Sequence, residues 1–102
     1  MSFGNLAKMA QQMQAEMARV EAELEGLQVE GSAGGGAVKA IVTGKLDLVS
    51  VTIDPAVVDP DDVEMLQDLV TAAVNEALAT ARKTGEQKMA GVTGGLRIPG
   101  LG

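Results

Sequence analysis

A chain of 102 residues is the length of one domain, and three residue types are scarce or missing: it has no cysteine, no histidine, and Phe3 as its one aromatic. Disulfides, thiolate metal sites and histidine-based triads are therefore excluded, and catalysis would need carboxylates, lysines or a cofactor. Taken whole, a net charge of −6 argues against nucleic acid as a partner.

The charge is unevenly spread. Residues 16–68 hold twelve acids against Arg19, Lys39 and Lys45. Residues 80–102 hold Arg82, Lys83, Lys88 and Arg97 against Glu86 alone, and residues 1–15 hold Lys8 with no acid. A negative middle lies between two positive ends, and that direction tells more than the sum. The apolar 46% is mostly Ala, Val, Leu and Met, which bury little area each. A lone subunit would have a modest core, and a second copy is the simplest remedy. No basic stretch leads into an apolar run, and no apolar stretch approaches the ~20 residues needed to span a bilayer. A soluble protein of the reducing cytosol is expected, with no membrane partner.

Leu6, Ala10, Met13, Met17, Val20, Leu24 and Leu27 recur at alternating spacings of four and three, an a/d stripe held for three heptads. The spacing predicts a helix from about Asn5 to Leu27, capped by Asn5 or Ser2 and loosened at Gly26 and Gly31. A stripe of roughly 35 Å outruns the sheet that so small a chain can offer it. Heptad spacing favours a helical partner over a flat one, so the stripe is expected to be a homodimer seam. Cover of the chain's own sheet is the plainer alternative.

The Gly-rich residues 31–36 lead into residues 37–43, rich enough in β-branched side chains to pair as a hairpin with residues 46–54 across Gly44-Lys45. From Val49 onward the apolar side chains fall on odd numbers, the mark of a half-buried strand. Residues 29–33 add a third, edge strand, giving an antiparallel meander. Asp54-Pro55 ends the last strand. Asp59 as N-cap and Pro60 at the first helical position predict a second helix, apolar from Val63 to Ala81, that runs to Lys83 or, past Gly85, to Met89. The expected organisation is an α+β domain over residues 1–90 and a flexible, Gly-rich tail over 91–102.

Few residues invite a chemical role. Asp54, Asp59, Asp61, Asp62 and Glu64 have the oxygen donors of a hard-cation site but lack EF-hand spacing, and capping the second helix accounts for them better. Gly34-Gly35-Gly36 leads into a strand, not a helix, so it does not cradle phosphate as a P-loop does. No catalytic residue, metal site or cofactor is expected, and the chain is not expected to be an enzyme. Lys8 and Arg19 on the first helix and Arg82, Lys83 and Lys88 late in the second remain, with Arg97 in the tail. By chemistry alone, solvated helix-end charge explains them slightly better than any ligand.

The ordered succession of Leu6-Ala-Lys-Met-Ala-Gln-Gln-Met-Gln14, Gly31-Ser-Ala-Gly-Gly-Gly-Ala-Val-Lys39, Val51-Thr-Ile-Asp-Pro55, Glu64-Met-Leu-Gln-Asp-Leu69, Ala72-Ala-Val-Asn-Glu-Ala77 and Thr93-Gly-Gly95 resembles the YbaB/EbfC family of bacterial nucleoid-associated proteins almost end to end. The resemblance implies an α-β-β-β-α protomer with a three-stranded antiparallel sheet, a tweezer-like homodimer, and binding of double-stranded DNA with little sequence preference. It also implies DNA contacts on the helices. Lys8, Arg19, Arg82, Lys83, Lys88 and Arg97 are the residues here that would make them, with Gln11 and Gln12 as polar contacts. The implied location is the cytoplasmic nucleoid. A protein-interaction module that docks replication or recombination proteins without touching DNA is the second hypothesis.

Overall fold

The computed structural model describes residues 3–94, in the order α1 (Phe3–Gly26), β1 (Gln28–Ala33), β2 (Val38–Thr43), β3 (Leu48–Ile53), a 3-10 turn (Pro55–Val57) and α2 (Val63–Gly94). The α-β-β-β-α protomer is as the sequence implies. Its sheet is an antiparallel meander with β2 in the centre, so residues 28–33 do form the edge strand.

Three consecutive glycines make the first hairpin possible. Gly34, Gly35 and Gly36 have φ of 64°, 69° and 94°, a region costly to side chains, and Ala37 N–H closes the turn on Gly34 O at 3.3 Å. The second turn is less ordinary, because Leu46 occupies the left-handed region at φ 70°. Thr43 holds that strain in place. Its N–H donates to Asp47 O (2.8 Å), and its Oγ1 accepts from the N–H groups of Lys45 and Asp47 (3.2 Å each). Extended structure therefore resumes at Leu48 rather than at Leu46.

α2 lies on one face of the sheet. Ala73, Ala77 and Ala81 recur every fourth residue and are fully buried against Val29, Val38, Ala40 and Val42. Their small side chains let the helix axis approach the strands closely. β3 lies beyond most of this cover. Val51 and Ile53 pack against the core as the alternation predicts, but Val49 remains half exposed. The pairing shifts register between Ile41 and Val42, opposite Val49, and the bulge breaks the alternation there.

Two boundaries of α2 differ from expectation. The helix starts at Val63, capped by Asp62, whose Oδ1 accepts from Met65 N–H at 3.1 Å. Asp59 instead holds the preceding turn, accepting Asp61 N–H at 2.9 Å. At the other end α2 passes through Gly85 unbroken and continues to Gly94, four residues into the stretch expected as tail. Val92 gives the reason, being buried against Val20 and Leu24 of α1. Residues 95–102 of that tail, Arg97 among them, lie outside the described residues.

α1 divides in two. Val20 and Leu24 are buried against the end of α2, and Leu27 packs just beyond the helix. Every residue from Phe3 to Arg19 is exposed, including the stripe residues Leu6, Ala10, Met13 and Met17. An apolar helix face of that length is left uncovered by the described residues.

Candidate nucleic-acid interface

The acids about α2 gather at its amino end, while its bases, Arg82, Lys83 and Lys88, all lie late in the helix with Glu86 among them. At the amino end Asp54, Asp59 and Asp62 each accept a backbone N–H, from Ala56, Asp61 and Met65 respectively. Those carboxylates do capping work, and no group of three or more metal-ligating side chains occurs among the described residues. Arg82 lies nineteen residues beyond Val63. At about 1.5 Å per residue that is roughly 30 Å, several times the ~8–10 Å over which physiological salt screens exposed charge. The acidic caps therefore do not quench the basic end.

That basic end gathers residues from both helices. Arg82 and Lys83 are exposed on α2 and make no ion pair among the described residues. Arg82 lines an open groove of about 330 Å³ whose apolar wall includes Leu24, Leu46, Gly85 and Met89. On α1, Arg19 donates through Nη2 to Glu16 Oε2 (2.7 Å) and through Nη1 to Glu23 Oε1 (2.6 Å). Lys88 of α2 reaches the other oxygen of the same carboxylate, with Nζ 3.3 Å from Glu23 Oε2. Glu23 thus bridges two cations on two helices. Its carboxyl is held below the usual glutamate range, first by the hydrogen bond from Lys88, which outweighs the opposing effect of desolvation, with the charges of Arg19 and Lys88 adding smaller downward effects. Arg19 is held more firmly protonated, chiefly by its hydrogen bond to Glu16. Lys8 stands apart on the bare half of α1, where Gln11 and Gln12 are also exposed.

All five described basic candidates lie on the helices, and the fold brings Arg19 and Lys88 together, although they are 69 positions apart. Sequence reasoning named neither Glu16 nor Glu23 as their partners. The Glu16–Arg19–Glu23 spacing was a usable signal, being i,i+3 and i,i+4 on one helix. Nothing local announces Lys88. A further pair, Lys45 Nζ to Glu25 Oε1 at 3.6 Å, ties the second hairpin to α1.

Fold and charge together define a small α+β protein with a helical arm left uncovered by the described residues and a helix end that gathers Arg82, Lys83 and Lys88. The chain belongs to the YbaB/EbfC DNA-binding family, whose model matches residues 1–96. This places it among DNA-binding proteins rather than enzymes. It is 55% identical to a nucleoid-associated protein of Acetivibrio thermocellus over 101 residues, 98% of this chain and 89% of that relative. A nucleoid-associated protein of Moorella thermoacetica is 52% identical over 99% of this chain and 100% of its own length. An uncharacterised protein of Helicobacter pylori has the same fold, with a TM-score of 0.81 at 22% identity, covering 91% of this chain and 98% of that one.

Proposed function

We propose that this chain is a nucleoid-associated protein of the cytoplasm that holds double-stranded DNA by its phosphates, with little reading of base edges, and does so as a homodimer. The observation that carries the proposal is the basic helix end of Arg82, Lys83, Lys88 and Arg19, set apart from the acidic caps in a chain of a DNA-binding family. Phosphate contacts fix position without carrying sequence, and the chain lacks stacking aromatics on its helices apart from Phe3. Lys8, on the bare half of α1, and Arg97 are assigned as further phosphate contacts.

The dimer is supported by the bare arm. Leu6, Met13 and Met17 are 52%, 40% and 37% exposed on one face of α1, with no cover from the described residues. Burial against a twin copy would use that face and present each basic end twice, turning a weak grip into an avid one. Electrophoretic mobility shifts across a salt series test the proposal. Retarded DNA at low salt, with affinity falling steeply as salt rises, is the expected result. Reversing Arg82, Lys83 and Lys88 to Glu should abolish the shift while the protein stays folded. Unchanged DNA behaviour in that variant would point instead to docking of replication or recombination proteins.

A further inference from the structure

We infer that Arg19 and Lys88 form a single phosphate site across α1 and α2, and that Glu23 is its resident anion, occupying the site until a backbone phosphate of DNA replaces it. This role presupposes the DNA-binding function proposed above. Arg19 takes one oxygen of the Glu23 carboxylate and Lys88 takes the other, at 2.6 and 3.3 Å. Two cations converging on the two oxygens of one anion is the arrangement that a phosphodiester's paired free oxygens also satisfy. The site is open: the side chains of Arg19, Glu23 and Lys88 are 55%, 42% and 36% exposed. Exposed ion pairs hold weakly, so exchange of one anion for another needs no rearrangement of the fold.

The consequence is a brake on affinity. While Glu23 is in place, Arg19 and Lys88 contribute little to the field that DNA meets, and the grip rests on Arg82 and Lys83. Glu16 still holds one side of Arg19, so the cation chiefly released is Lys88. Glu23 therefore sets how strongly the surface competes for phosphate.

The test compares Glu23→Gln with Glu21→Gln, which removes equal charge from a residue of α1 that makes no ion pair among the described residues. Mobility shifts of one DNA duplex across a salt series are read for both variants and the parent. Glu23→Gln should bind several-fold tighter at low salt, and its log–log salt slope should steepen by about one. Glu21→Gln should leave the slope unchanged. Adding Lys88→Gln to Glu23→Gln should cancel the gain, with helix content by circular dichroism unaltered throughout. Equal behaviour of the two single variants, or weaker binding by Glu23→Gln, overturns the inference and leaves the DNA-binding function standing. Failure of the parent and every variant to retard DNA at low salt sinks that function, and this site with it.

Discussion

Gly31 of β1 lies directly under the backbone of Ala77 in α2, so close that a β-carbon on Gly31 would sit 2.8 Å from Ala77 Cα. The neighbours it would meet are backbone, which cannot swing aside as a side chain can. The contact joins the longest helix to the sheet, and the core depends on that spacing. Gly31→Ala should therefore destabilise the fold by overpacking, by about 1–3 kcal/mol or more. Urea unfolding measures it. A variant as stable as the parent would mean that α2 lifts off the sheet at no cost.

The cap of α2 gives a sharper comparison. Asp62 bonds Met65 N–H and belongs to the helix, whereas Asp59 bonds Asp61 N–H and belongs to the turn before it. Asp62→Ala should cost about 1 kcal/mol, the usual value of a lost carboxylate cap. Asp59→Ala should cost less, since no helical N–H is orphaned. Thermal melts of the two variants check the order, and a larger loss at Asp59 would return the cap to the residue that the Asp-Pro motif first suggests.

These cases show what the sequence carries and what it does not. The stripe from Leu6 to Leu27, the odd-numbered alternation after Val49 and the apolar face of α2 are periodic, so one turn or one pleat is enough to read them. The position of the cap is not periodic. Asp59, Asp61 and Asp62 are all competent caps, and the choice depends on how the chain leaves β3. Continuation of α2 past Met89 to Gly94 was hidden for a similar reason. The local cost of glycine is outweighed by Val92 and Met89 packing on Val20 and Leu24, a contact between opposite ends of the chain. The basic candidates on both helices were legible as residues. The meeting of Arg19 and Lys88 at Glu23 was not, because only the fold brings α1 beside the end of α2.

Glu23 also predicts an acid response. Its folded carboxyl titrates below the ordinary glutamate range, so its pairing stabilises the fold above that range and is lost as pH falls through the depressed value. Carboxyl titration by NMR should find Glu23 depressed, and Lys88→Ala should move it back up, because the Lys88 hydrogen bond is the leading cause. High salt should shrink the difference, since the pair is exposed. A Glu23 carboxyl indifferent to Lys88→Ala would mean that the two helices are not tied at that point.

The two halves of α1 should respond differently to substitution. Met13 is 40% exposed on the arm, and Val20 is buried against the end of α2. In a single chain Met13→Glu would be harmless, since glutamate is a good helix former on an exposed face. In a homodimer that buries the arm, the same change places an unpaired carboxylate in each half of an apolar seam, where desolvation is costly. Sedimentation should then show dimers dissociating at concentrations at least tenfold higher than for the parent, with the folded chain intact. Val20→Ala should do the reverse. It removes packing within the protomer, at roughly 2 kcal/mol, and lowers the melting temperature without singling out association. If Met13→Glu sediments as the parent does, the bare arm is not the seam and the partner copy must dock elsewhere.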